Sequence, residues 1–340
     1  MITHSLTTVY ENDDFQITGV TVSKTGRVFV NYPRWSDRYL YAVTEIAGDG
    51  TAKPFPDEEW NGWDLKAASA SAHFVCVQSV VVDEDDSLWV LDPAAPMLAS
   101  VVPGGPKLVE IDLSTNRVSR VILFDPEIAK VDSYLNDVRI DKKRGMAYIT
   151  DSGRGGLIVI DLNTGRAHRA LDGHPSVKVE EGVRVVVDGK ELLLNGKPPQ
   201  FNSDGIALSP DGDYVYYKAV TAVTLYRVKT QALRDSASSP AAASGAVETV
   251  AKTMPTDGLW IDGDWNLYLT DIPADAVSCV RPDGNIERLV SDRKLQWPDT
   301  LSQGPDGAIY VSASHINNSP PFNKGKSTRT SPYAVFKFRP

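Results

Sequence analysis

The chain has 340 residues, more than one compact hydrophobic core usually serves, so it is expected to build its core in sectors or in more than one domain. An apolar fraction of 42% and a charged fraction of 23% exclude wholesale disorder. The net charge of −9 argues against a nucleic-acid partner and suits a cation, an amine or a small polar substrate.

In chain order, one pattern recurs six times: a polar residue, an apolar strand, a tight Asp/Gly/Lys turn and a second apolar strand. The copies begin with TGVTVSKTGRVFV at Thr18, QSVVVDEDDSLWVLD at Gln78 and NDVRIDKKRGMAYITD at Asn136. They continue with DGIALSPDGDYVYYK at Asp204, DGLWIDGDWNLYLTD at Asp257 and DTLSQGPDGAIYVSAS at Asp299. A lone hairpin cannot bury both faces, whereas a ring of twisted sheets can, and a spacing of roughly 40–60 residues is that of a four-stranded blade. Segments such as KLVEIDL, RVSRVILF, GLIVIDL and VTLYRV alternate in period two and supply the outer strands. The expected fold is all-β: one six-bladed β-propeller domain over 1–340 with four-stranded antiparallel blades. YAVFKF and the N-terminal SLTTVY would pair to close the ring and remove a sheet edge.

Three segments depart from the blade template. Residues 172–203 read as an inserted hairpin, and the small-residue stretch 235–246 reads as a mobile loop without chemistry. The excursions NYPRWSDRY and PFPDEEWNGWD of the first blade are long enough to cover the pore mouth, although packing onto the ring is the commoner role. Cys76 and Cys279 lie in separate strands and read as buried free thiols. No stretch approaches the roughly 18 apolar residues of a membrane span and no export signal is visible, so the chain as it stands reads as cytoplasmic, or as secreted or periplasmic where an export signal has been removed. Oligomeric state is not legible.

In a propeller the first strand of each blade lines the channel, and its start shares a mouth with the end of the second strand. The six starting positions, Thr18, Gln78, Asn136, Asp204, Asp257 and Asp299, are all polar. The second-strand ends add Asp92, Asp151, Lys218, Asp271 and His315. Three readings remain open: side chains that bond channel water and cap strands, a hard-cation site, or a ligand site without metal. For a cation, Asn136, Asp204 and Asp257 are the ligands, and their all-oxygen character favours calcium over zinc. Asp299 or His315 would take a proton, with Lys218 as a basic partner to the carboxylates. Thr18, Gln78, Asp137, Asp151, Asp271, Arg34 and Trp35 are candidate substrate contacts, and Tyr32, Trp35 and Trp60 a candidate aromatic cage. The run Asp262-Gly-Asp264-Trp-Asn266 imitates a calcium loop, but it lacks the glycine and glutamate that complete one and reads as a turn. No G-x-S-x-G, H-E-x-x-H, P-loop or dinucleotide fingerprint is present.

Through QSVVVDEDDSLWVLD, YITDSGRGGLIVIDLNTGRAHRAL, SDGIALSPDGDYVYYKAVTAVTLYRV, WPDTLSQGPDGAIYVSAS and PFPDEEWN the sequence resembles the yellow/major royal jelly protein family. That resemblance implies six blades and an activity drawn from a diverse set, including isomerases of dopachrome-like indoles and binders of biogenic amines. The chain is more distantly similar to the senescence-marker/gluconolactonase propellers. This second resemblance implies a divalent cation at Asp257 and Asp204, with Asn136 meeting substrate, but Thr18 stands where that family has a glutamate ligand. Two functions follow as expectations: a metal-assisted hydrolase, lactonase-like, or isomerase of a small cyclic substrate, or a non-catalytic binder of amines or indoles. A protein-docking platform ranks below both.

Overall fold

The computed structural model describes residues 4–340. Six four-stranded antiparallel sheets form the blades of a propeller. Their inner strands are Gly19–Val22, Ser79–Val82, Leu135–Asp141, Ser203–Leu208, Leu259–Ile261 and Pro298–Gln303. The sixth blade takes its third strand from Tyr333–Phe338 and its outermost from Thr7–Asn12, so the two ends of the chain close the ring.

Period-two alternation explains where the core lies. Met146 and Tyr148 face blade four, while Ala147 and Ile149, on the same strand, face blade two. The same division repeats around the ring, giving one apolar cluster between each pair of neighbouring blades. The core is therefore six wedges around a polar axis. Hydroxyls tie the inner wall together: Thr150 Oγ1 donates to the carbonyl of Asp204, and Ser312 Oγ to that of Thr18, each joining one blade to the next.

The insertion at 172–203 contains a short helical turn, Pro175–Val177, and a small hairpin of Val186–Val187 and Lys190–Glu191. Residues 235–246 differ from the expected open loop. They complete the helix Thr230–Asp235 and form a second, Pro240–Ser244, with Leu233 and Ala243 buried against the wedge between blades three and four. Proline at the first helical position and the alanine run behind it account for this. Cys76 and Cys279 are buried free thiols. Asp262 accepts from the amides of Asp264 and Asn266, as a turn does. Among the described residues, no helix is long and apolar enough to cross a membrane.

Candidate functional site

At the mouth where the inner strands begin, a cavity of about 1080 Å³ opens. Its floor is made by Gln78, Asn136, Asp204, Asp257 and Asp299, contributed by five successive blades. The inner strands of blades three, four and six lose regular register at their starts, between Leu135 and Val138, Ser203 and Ile206, and Pro298 and Leu301. Such irregularities release a side chain from the ladder and re-aim it. Glycine sets how closely the blades approach. A Cβ on Gly205 would lie 2.2 Å from the carbonyl oxygen of Asp257, and one on Gly258 2.0 Å from that of Asp299.

The floor is the end of a directed hydrogen-bond chain. Trp35 Nε1 donates to Tyr134 Oη at 2.7 Å, and Tyr134 Oη donates to Gln78 Oε1 at 2.9 Å. Gln78 Nε2 then donates to Asn136 Oδ1 at 3.4 Å, and Asn136 Nδ2 to Asp204 Oδ2 at 2.7 Å. From the other side Trp297 Nε1 donates to Asp257 Oδ2 at 2.6 Å. Asp299 Oδ2 is buried without a partner.

Burial raises the Asp204 carboxyl well above the usual carboxylate range, reinforced by Asp257, Asp299 and Asp137. Burial likewise raises Asp257 to about 6, against the opposing hydrogen bonds from Trp297 and Asp204. Asp299 is raised well above its ordinary value by burial and then by the charge of Asp257. None of the three forms an ion pair among the described residues, and the upward shifts mean that protons or a positively charged guest would relieve them.

The remaining sequence candidates are placed elsewhere. Asp92, Asp151 and Asp271 share the mouth's end of the molecule but point into their own blades. Asp92 pairs with fully buried Lys107 at 3.0 Å, and Asp151 with Arg169 at 3.0 Å while accepting from the Tyr134 amide. Asp271 pairs with Arg288 at 3.0 Å. Lys218 does not meet the floor carboxylates. It is buried on Thr253 and the Met254 carbonyl, and desolvation lowers it to about 7 despite the charges of Glu180 and Asp271. His315 stands behind Tyr333, with ring centroids 5.8 Å apart, outside the cavity lining. Burial and then Arg329 lower it to about 4, which keeps it neutral.

Thr18 accepts from Asn31 inside the ring, and Gln16, just before the inner strand of blade one, reaches the cavity instead. Asp137 lies in the channel, 3.0 Å from Arg139. Arg34 stacks on Tyr39 at 3.7 Å, Tyr32 bonds Tyr10, and Trp60 packs on Phe74. Of the proposed cage only Trp35 lines the cavity, because the blade-one excursion turns its other aromatic rings onto the ring of blades. Sequence reasoning missed Gln16, Tyr134, Trp297 and Tyr333. Trp297 carried a signal, since it stands two residues before Asp299 in WPDT.

Two insertions roof the cavity. Val185, Val187 and Leu192 pack with Trp297, Ile316 and Phe322, so the 172–203 insertion and the excursion after Ser314 meet over blade five. Among the described residues, no group of three or more His, Cys, Asp or Glu is arranged to hold a metal ion. The donors nevertheless fit a hard cation in kind: two carboxylates and an amide oxygen, beside the unpartnered oxygen of Asp299.

A six-bladed propeller with an acid-floored cavity at one mouth is the class this geometry defines. The chain belongs to the major royal jelly protein family, whose model matches residues 75–320. Major royal jelly protein 1 of Apis mellifera is 25% identical over 226 residues, covering 62% of this chain and 49% of that protein. Major royal jelly protein 7 of the same species is 25% identical over 280 residues, covering 77% and 58%. The chain thus spans about half the length of these relatives. Among solved structures, the calcium-binding protein regucalcin of Agrobacterium tumefaciens superposes with a TM-score of 0.60 at 15% identity, covering 99% and 95% of the two chains. A gluconolactonase of Xanthomonas campestris gives 0.59 at 12% identity, covering 98% and 89%. Virginiamycin B lyase of Staphylococcus aureus gives 0.55 at 15%, covering 99% of each. These likenesses establish the fold alone.

Proposed function

We propose that the cavity is the site of a small-molecule enzyme: a divalent-cation-assisted hydrolase, with a lactone the favoured substrate, or an isomerase of a small cyclic molecule. The observation that supports this reading is the buried, unpartnered Asp299 Oδ2 beside the Asp204 and Asp257 carboxyl groups, none of the three forming an ion pair among the described residues. Asn136, Asp204 and Asp257 would hold the ion, with calcium favoured. When bound, it would supply Lewis-acid polarisation of a carbonyl.

The protein's own groups do the rest. Asp299 Oδ2 is free to accept a proton or, when protonated, to return one to a leaving oxygen, and an upward-shifted carboxyl suits both tasks. Trp297 fixes Asp257 by its indole N–H, and the Trp35–Tyr134–Gln78 chain fixes Asn136. The two insertions limit water above the floor. The test is metal analysis of the purified protein, followed by turnover on a lactone panel before and after chelation. One bound calcium and an activity lost on chelation are expected, with Asp257→Ala lowering turnover about 100-fold or more. Undiminished turnover in metal-free protein overturns the mechanism.

A second reading is a binder without turnover, in which an ammonium group neutralises the same floor. It is favoured by the aromatic rings of Trp35, Tyr134, Trp297 and Tyr333 around the acids. Calorimetric heats with amines, and no lactone hydrolysis under any metal condition, would select it.

A further inference from the structure

The cavity is mixed where it meets solvent, with exposed Asp13, Asp14, Asp37, Arg38 and Asp132 lining it beside apolar side chains. Its acidic floor is buried, yet three of its lining residues are large hydrophobic side chains turned outward: Met97 is 51% exposed, Leu98 54% and Val131 72%. Scattered exposed hydrophobics need no explanation, but three in the lining of one cavity call for one.

The backbone holds two of the three in place. Met97 and Leu98 have φ values of 60° and 53°, two successive left-handed residues of a kind that side chains with a Cβ rarely adopt. The turn is held by the Met97 amide donating to the Arg34 carbonyl at 2.7 Å and the Ala99 amide to the Pro96 carbonyl at 3.1 Å. Strain maintained by surrounding contacts, and used to keep apolar groups in water, points to a contact made by something else. Size agrees, because about 1080 Å³ lies at the upper end of ligand pockets, beyond what one small ring needs.

We propose that the ligand is an amphiphile: a polar head, cyclic ester or amine, on the Asp204–Asp257–Asp299 floor, and an extended apolar tail lying against Met97, Leu98 and Val131. This rests on the reading that the cavity is the ligand site, and it adds the substrate class. A sugar-like lactone, polar on every face, would leave the lip wet. An acyl- or alkyl-bearing molecule removes it from water.

The test is a homologous series. Calorimetry or tryptophan fluorescence would follow γ-lactones with calcium-loaded protein and primary n-alkylamines with metal-free protein, each from about four to about twelve carbons. Each methylene that reaches the lip should tighten binding about fourfold, with a plateau once the lip is covered. The variant Met97→Ser/Leu98→Ser/Val131→Ser should lose affinity in proportion to chain length, at an unchanged melting temperature because the side chains are exposed. Asp257→Asn should weaken all members of the series by a common factor and leave the slope intact. A slope kept in Asp257→Asn and lost in the lip variant supports the amphiphile even where lactone turnover fails, so the two readings fail separately. Affinity independent of chain length, a slope that survives in the lip variant, or no binding by any member of either series overturns the proposal.

Discussion

Asp299 and Asp151 lie near the same end of the ring, and chemistry separates them. Asp151 is saturated by Arg169, Ser133 and a backbone amide, so it is a strut. Asp299 keeps a bare oxygen among other acids. The folded chain therefore holds protons on Asp204, Asp257 and Asp299 that the unfolded chain releases near its ordinary carboxyl value. Stability from these groups is complete below about pH 4 and is lost as pH rises through their raised values, about 6 for Asp257. In chelated protein, Asp299→Asn should be more stable than the parent at pH 8. The advantage should grow with pH by up to about 1.4 kcal/mol per unit, read from urea midpoints at several pH values. An advantage that does not change with pH would show that Asp299 is ionised in the apo fold. In sequence the two aspartates look alike, each ending or beginning a strand. The signal that divides them is a basic residue on the third or fourth strand of the same blade: Lys107, Arg169 or Arg288. Blades four and six, with Lys218 and His315 at the corresponding end, lack that pairing, and those two residues lie away from the cavity because each packs into its own blade.

At the scale of elements, the inner strands were legible because their polar starts and period-two apolar runs recur six times, and a repeat states its own register. The excursions were not, since a loop's path depends on which surface receives it. Trp60 and Trp63 pack away from the mouth, while Trp297, within a blade connection, becomes the seat of two insertions. What brings the floor together is the Asp-Gly step at 204–205 and 257–258. With no Cβ at the second position, the carbonyl of the next inner strand can lie against it. Gly258→Ala would force backbone apart at 2.0 Å from the Asp299 carbonyl, and a loss of about 1–3 kcal/mol in stability is expected. Ligand or calcium affinity should fall with it, since Asp257 and Asp299 would move relative to each other. Gly263→Ala is the control: its Cβ meets nothing within 4 Å, and it should be silent in both measurements. Equal losses from the two alanines would mean that the close approach to the Asp299 carbonyl does not govern the position, since reduced unfolded-state entropy alone would stabilise both.

For the whole molecule, the ring distributes its core over six wedges, so no blade is stable by its own packing and each depends on two neighbours. Closure is then the step on which cooperativity rests. The strand Thr7–Asn12 pairs with Tyr333–Phe338, and its Tyr10 is buried with Val20, Val30 and Val335 in the wedge between blades six and one. Its hydroxyl accepts from Tyr32 at 3.1 Å and from Asn12 at 2.8 Å, so the closing strand is tied to the first blade as well as the last. Deleting residues 1–12 would expose the edge of Tyr333–Phe338 and half of that wedge together. An unpaired edge is a template for another chain. The truncated protein should melt several degrees lower and associate with rising concentration in light scattering, and a peptide spanning TTVYEN added in trans should reverse both changes. A monomer with an unaltered melting temperature would mean that the other five wedges hold the ring shut by themselves. The cavity floor would then be rigid without closure, because its acids come from blades four to six, whose inner strands the deletion does not touch.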